Sequence, residues 1–324
     1  MVIRKNANKI KRMIKKAGYI FLIGHKNLDL DAIGSQIGML KIVEHFNKKA
    51  YIIIDDEYHE PGVRKILTEL NDVLNIIKSE QVKELKDENS LLIIHDTNKK
   101  ELLQNKKIIE DFKNIMVIDH HDLDKNSIDN AYMVNDVETS STCEMIAELI
   151  EEYEIEIEPY YATAILSGIV LDTNNFMLNA KPETFYMAYF LTSLGASAKK
   201  VQYLLKQDLE AYIEREKLFY NITTVSDKIA ITKGSAKTKY RKEDLAKVAD
   251  TLLFFNNIET SFVIGKIGKD EIGVSARNLG SFNVLKILEK LGGGGSERGG
   301  AAVIKNKTIK QVETKIKNLL TKED

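Results

Sequence analysis

Tryptophan is absent from this 324-residue chain, cysteine occurs once and proline three times. The lone cysteine, Cys143, excludes an intrachain disulfide framework and a cysteine-rich zinc site, and accords with a reducing compartment. Neither sign of charge is in excess: 47 Lys and Arg stand against 48 Asp and Glu, a formal net charge of −1. That balance excludes the global basic field that holds long nucleic acid, so any nucleotide ligand is expected to be short and gripped locally. Long apolar runs are missing too. The longest, Ala162 to Leu171, is interrupted by Thr163 and Ser167 and falls short of the ~18 residues of a membrane span. No charged-apolar-small leader opens the chain. These absences predict a cytoplasmic protein with no membrane partner.

What is present fits a globular protein, 44% hydrophobic and 29% charged, long enough for two cores. Short apolar runs at 19–24, 50–55, 91–96 and 115–121 alternate with stretches of helical spacing. Such strands, apolar throughout, predict an α/β domain whose parallel sheet is covered by helices on both faces. An amphipathic, lysine-rich helix is expected over 2–17, and others near 62–70, after Ser141, over 159–171 and after Pro182. Ser141 and Glu144 are spaced for a capping box. From 197 to 220 the chain is charged and helical without strand signals, which reads as a linker between domains at 1–196 and 221–324. The last third predicts a smaller α+β domain: strands at 229–232, 260–267 and 271–277, helices at 242–254, 283–290 and 308–320. A glycine run from Gly292 to Gly300 lies inside it.

Acids and imidazoles gather at four element ends: His25, Asp29 and Asp31; Asp96; Asp119, His120 and His121; and Asp172. Singly, each has a bland explanation, since Asp before a helix is commonly a cap and a strand-end His commonly structural. Four such ends in one α/β half, holding three of the six histidines, disfavour accident. Asp and His ligands with water suit Mn²⁺ or Mg²⁺, and two such ions ~3.5–4 Å apart suit in-line displacement at phosphorus. His95 falls on the strand face opposite Asp96 and reads as core; His45 and His59 read as surface residues, and Cys143 as buried and inert.

The pattern His25-x-Asn27-x-Asp29-x-Asp31-x-x-Gly34-Ser35, then Asp96, Asp119-His120-His121 and Asp172, resembles the four motifs of the DHH phosphoesterase family. The C-terminal glycine-rich segment, with Ser275-Ala276-Arg277, resembles the associated DHHA1 domain. Similarity extends over nearly the whole chain. Residues 168–173 and 275–284 are most similar to the catalytic module of membrane-anchored cyclic-di-AMP phosphodiesterases. The chain's size is nearer to nano-RNases and 3′-phosphoadenosine 5′-phosphate (pAp) phosphatases. A stand-alone catalytic module is therefore expected.

The resemblance implies two Mn²⁺ ions, with Mg²⁺ or Co²⁺ as substitutes. One would take His25, Asp29 and Asp96, the other Asp31, Asp96, His120 and Asp172. A hydroxide bridging them would be the nucleophile. Asp119 would orient a histidine, and His121 would contact the phosphoryl oxygen or serve as general acid. Arg277, Gly293, Gly294, Gly295, Ser296 and Arg298 would bind a short nucleotide against the metals. Ser296 stands where the family usually has His, removing charge and stacking there, and Arg298 is a candidate compensation. The function implied is Mn-dependent hydrolysis of cyclic di-AMP and short dinucleotides such as pApA. The alternative is a bifunctional oligoribonuclease and pAp phosphatase. Both fit a homodimer.

Overall fold

The strands of the N-terminal sheet are apolar at successive positions, and alternate positions feed two different cores. The computed structural model describes residues 2–56 and 59–321, which form two compact units divided between Lys206 and Gln207. In the first unit α1 (Val2–Lys16), β1 (Ile20–Ile23), α2 (Leu30–His45), β2 (Ala50–Ile53) and α3 (Pro61–Leu70) come first. Then follow β3 (Ile76–Ile77), α4 (Val82–Leu85), β4 (Leu91–His95), β5 (Asn114–Asp119) and β6 (Tyr132–Asn135). Four helices close the unit: α5 (Thr142–Glu152), α6 (Pro159–Asp172), α7 (Pro182–Ser193) and α8 (Ala198–Leu204).

The six strands are all parallel, in the order β3-β2-β1-β4-β5-β6. One face carries Ile20, Leu22, Leu91, Ile93, Met116 and Ile118 into the larger core, shared with α1, α2, α5 and α6. The other carries Phe21, Ile23, Leu92, Ile94, Ile115 and Val117. Its cover is lighter than a layer of full helices: α4 supplies Val82, the 3₁₀ turn at 108–111 supplies Ile108, and Leu103 follows a second 3₁₀ turn at 100–102. The strand order reverses between β1 and β4, and in such sheets the crevice beyond the carboxyl ends at that switch point is where ligands bind.

Two sequence expectations need adjustment. Residues 197–206 are not free linker, because Val201 and Leu204 on α8 are buried in the first core. The box at α5 is also incomplete. Ser141 accepts from the Glu144 amide at 3.0 Å, but the Glu144 carboxylate turns to the Ser140 amide and hydroxyl instead of the Ser141 amide.

The second unit holds α9 (Leu209–Glu216), β7 (Thr223–Ser226), β8 (Ile229–Lys233), α10 (Lys242–Leu252), β9 (Thr260–Lys266) and β10 (Glu271–Asn278). It continues with α11 (Val284–Lys290), β11 (Gly294–Gly295), β12 (Gly299–Lys305) and α12 (Ile309–Leu320). Its sheet runs β11-β12-β10-β9-β8-β7, antiparallel except for the β8–β9 pair. The glycine run is thus partly strand: Gly294 and Gly295 pair with Ala301 and Gly300.

One buried carboxyl makes the first unit sensitive to pH. Glu148 on α5 faces Arg4 of α1, with Oε2 3.6 Å from Nε, and its side chain is 2% exposed. Burial pushes its pKa up to about 7 against the pull of Arg4, and Glu144 adds to the rise. A carboxyl raised on folding contributes stability that is whole below its unfolded pKa and lost as pH climbs through the folded one. Glu148→Gln is therefore expected to match the wild type near pH 4.5 and to melt at a higher temperature than it near pH 8. Thermal midpoints measured across that range check this; a constant offset between the two proteins would refute it.

Candidate metal centre

Beyond β1 the chain reaches His25, then turns at Asn27 in the left-handed region (φ 54°) before entering α2. Asp29 is the N-cap of that helix, its Oδ1 accepting from the amides of Asp31 and Ala32 at 3.0 and 2.9 Å. Its other oxygen, Oδ2, lies 3.6 Å from His25 Nε2. The cap and a candidate ligand are one residue, with one oxygen for each task. The second nitrogen of His25, Nδ1, donates to the Lys26 carbonyl at 2.7 Å, which leaves Nε2 unprotonated in the neutral ring and free to face the carboxylates.

Asp31, on the first turn of α2, is fully buried, and both oxygens accept backbone amides from the start of α5: Thr142 N at 2.8 Å and Cys143 N at 2.7 Å. The N-terminus of a helix is a natural anion cradle. Asp96 follows β4 in a left-handed conformation (φ 58°) and takes a hydrogen bond from the Thr142 hydroxyl at 3.2 Å. Asp119 ends β5, His120 and His121 follow it, and Asp172 is the last residue of α6.

These residues converge on Asp96. Its Oδ2 is 3.3 Å from His25 Nε2, and its Oδ1 is 3.5 Å from His120 Nε2. His120 Nε2 is also 3.3 Å from Asp172 Oδ2, is buried, and has no hydrogen-bond partner. Three overlapping donor sets result, each with one ligand atom per residue and all atoms within 4.8 Å of one another: His25–Asp29–Asp96 and Asp31–Asp96–His120–Asp172, the two that match the expected ligands, and Asp96–His120–His121. Neighbouring ligands on an octahedral ion with bonds of ~2.1 Å lie about 3 Å apart, so these spacings suit a cation better than direct hydrogen bonds. The carboxylate oxygens, which predominate, are donors that suit Mn²⁺ or Mg²⁺. The residues fit two divalent cations.

The electrostatics agree. Burial first, then Asp96 and Asp172, raise the Asp31 pKa well above the carboxylate range. Burial, with Asp96 and Asp29, pushes Asp172 up to about 6 against the pull of His120. Burial works against the charged form of His25, yet Asp29 and Asp96 drive it up to about 12. Without a cation the cluster collects protons on its imidazoles and carboxyls to offset four crowded acids, and a bound cation would release them.

His121 stands apart. Its Nδ1 is held by Asp119 Oδ1 at 2.8 Å, a shorter contact than the 3.7 Å to Asp96. More than half of its side chain, 57%, is exposed, so Nε2 is the nitrogen left to meet a ligand. His95 is fully buried, and burial lowers its pKa to about 3. His59, expected at the surface, is 6% exposed and has a buried, unpartnered Nδ1.

Residues 19–169 match the DHH family, N-terminal domain. That match covers a little under half of the chain. The chain is 35% identical to the cyclic-di-AMP phosphodiesterase PdeA of Listeria monocytogenes, over 95% of its own length and 48% of the relative's. It thus spans about half the length of that relative. It is 25% identical to the bifunctional oligoribonuclease and PAP phosphatase NrnA of Mycoplasma pneumoniae, over 89% of its length and 88% of the relative's. In fold it resembles an exopolyphosphatase-related protein from Bacteroides fragilis, with a TM-score of 0.78, 18% identity and 98% of each chain covered. Among the described residues, no helix is long and apolar enough to cross a membrane.

The residues expected to bind substrate all lie in the second unit. Arg277 Nε is engaged by Asp250 at 2.7 Å, and its Nη1 reaches Ser275 Oγ at 3.3 Å. Gly294 is exposed, with open space where a Cβ would stand, whereas Gly293 and Gly295 are glycines because β12 packs too closely for a side chain. Ser296 closes a turn, its amide donating to the Gly299 carbonyl at 2.7 Å, and Arg298 is exposed. Three contributors to the site escaped the sequence reading: the amides of Thr142 and Cys143, the Thr142 hydroxyl, and Asn98 beside Asp119. A helix start such as Ser141-Thr142 advertises free amides; nothing local says which carboxylate they meet.

Proposed function

We propose that this protein hydrolyses phosphoester bonds in cyclic di-AMP and in short linear dinucleotides such as pApA, using two divalent cations, Mn²⁺ preferred. The reading is carried by Asp96, whose two carboxylate oxygens face different donor sets and so suit a carboxylate shared between two cations. His25, Asp29 and Asp96 would hold one, and Asp31, Asp96, His120 and Asp172 the other. When bound, such a pair polarises a phosphoryl oxygen and lowers the pKa of water toward neutrality. The chain's own part is positioning. Asp119 fixes His121 so that Nε2 contacts a phosphoryl oxygen or holds the proton for the leaving oxygen. In the second unit, Arg277 and Arg298 supply cationic partners for substrate phosphate, and the exposed backbone at Gly294, with Ser296, lets a nucleotide approach closely. The second unit is read as a DHHA1 substrate-binding domain.

A second reading, short-RNA and pAp hydrolysis at the same site, is favoured by the extent of the match to NrnA, which covers nearly nine-tenths of both chains. The deciding experiment offers cyclic di-AMP, pApA, short RNA and pAp side by side to protein treated with EDTA and then given Mn²⁺ or Mg²⁺. Turnover is expected to vanish with EDTA and to return with Mn²⁺ more fully than with Mg²⁺, with cyclic di-AMP and pApA consumed. Cleavage of pAp alone would overturn the first reading, and full activity in EDTA would overturn both.

A further inference from the structure

Behind Asp119 lies a polar chain that the metal chemistry does not require. Asn98, on the turn after β4, is 1% exposed and points its Nδ2 at Asp119 Oδ2, 2.6 Å away. The orientation of this amide is fixed from its other side. Ser127 Oγ accepts from the Asp124 amide at 2.9 Å and from Lys99 Nζ at 3.2 Å, so its own proton goes to Asn98 Oδ1, 2.8 Å away. The oxygen of Asn98 therefore faces Ser127 and its amino group faces Asp119. The carbonyls of His121 and Asp122, 3.3 and 3.4 Å from Nδ2, demand the same assignment. The Ile128 amide, donating to the Asn98 carbonyl at 2.8 Å, ties the turn to the 124–128 loop.

The consequence falls on Asp119. With Oδ2 taken by Asn98, Oδ1 is left for three donors: the His120 amide at 2.9 Å, the His121 amide at 3.3 Å and His121 Nδ1 at 2.8 Å. The carboxylate cannot rotate without breaking several of these at once. We infer that Asn98 is a positioning residue, locking the Asp119 carboxylate so that His121 carries its proton on Nδ1 and presents Nε2 outward. An imidazole tautomer is set by the partner of its other nitrogen, and loss of such outer partners typically costs ~10–100-fold in activity or metal affinity. The activity arm of this inference rests on the proposed phosphoester hydrolysis; the spectroscopic arm does not.

Asn98→Asp is the sharp test, because it keeps volume and the acceptor facing Ser127 but turns a donor into an acceptor against Asp119. The reciprocal pair Asn98→Asp with Asp119→Asn restores donor against acceptor and still offers Oδ1 to His121. Nitrogen-15 spectra of the histidine rings in Mg²⁺-loaded protein at alkaline pH, with the His121 signals assigned by its replacement, would be recorded beside kcat, KM, Mn²⁺ stoichiometry and melting temperature. The wild type is expected to show His121 protonated at Nδ1 alone. In Asn98→Asp that signature should become mixed and kcat should fall by about 10–100-fold, with KM within about twofold and cation stoichiometry unchanged. The reciprocal pair should recover the signature and at least about tenfold of the lost rate. A wild-type ring pattern and kcat in Asn98→Asp would overturn the inference, as would a rate loss that follows melting temperature and is not recovered by the swap. Should the wild type cleave no phosphoester while the ring pattern responds as described, the proposed function falls and the inference stands.

Discussion

Asp96→Asn is expected to cost this protein cation binding and turnover together, because Asp96 belongs to both donor sets. An amide has nearly the same shape, and one oxygen of it can still accept from Thr142. What it lacks is negative charge and a second oxygen, so one of the two sets loses its oxygen donor, the other keeps only a neutral amide oxygen, and the His25 and His120 nitrogens lose the charge they face at 3.3 and 3.5 Å. The loss of activity should exceed the ~10–100-fold typical of an outer-shell partner. Titration with Mn²⁺ should give fewer than two tight ions per chain. The left-handed backbone at Asp96 is tolerated by Asn as readily as by Asp, so the fold should survive with a melting temperature near that of the wild type. Retention of full activity would sink the shared-carboxylate arrangement.

Gly168→Ala is expected to act on the same site through packing. The helices α2, α5 and α6 meet where Gly168 lies against Asp31 and Cys143. A Cβ there would stand 2.5 Å from Cys143 Sγ, 2.8 Å from Asp31 Cα and 2.9 Å from Asp31 Oδ1. No rotamer relieves a contact with a backbone atom, so α6 must retreat from α2. Overpacking of this kind costs about 1–3 kcal/mol, occasionally more, or roughly 2–12 °C in melting temperature for a unit of this size. Turnover should fall as well, since Asp31 and Asp172 sit on the two helices being separated. Adding Cys143→Ala removes only the sulfur contact and should restore part of the stability. Wild-type melting and activity in the single variant would refute the close-packing account.

The strand ends that carry the chemistry were readable because each local signal is complete in itself. A run such as Leu91–Ile94 followed by His95-Asp96 announces a buried strand and the acid at its end, and side-chain alternation needs no partner to be inferred. Weaker elements escaped. Ile76–Ile77 is too short to show a period, and Tyr132–Asn135 is half-polar because it forms the edge of the sheet. The cover of the second sheet face was hidden for a similar reason: the 3₁₀ turns at 100–102 and 108–111 have no helical periodicity to detect. His59 reads as a surface residue because no acidic constellation accompanies it in the sequence; its burial comes from packing that sequence neighbours do not describe.

Residue identity and order alone determined which side chains could ligate a cation and that they stand at strand and helix ends of an α/β half, since those facts rest on short-range patterning. Tertiary structure decided how each oxygen is used. The amides that cradle Asp31 lie 111 and 112 residues away in the chain, and the Asn98 amide that holds Asp119 lies 21 residues away. Hydrogen bonds of that span follow from helix packing and strand order, and no local propensity encodes them. The same packing splits Asp96 between two donor sets and leaves His121 as the site imidazole facing outward, whereas the cap formed by Asp29 is local, to amides two and three residues on.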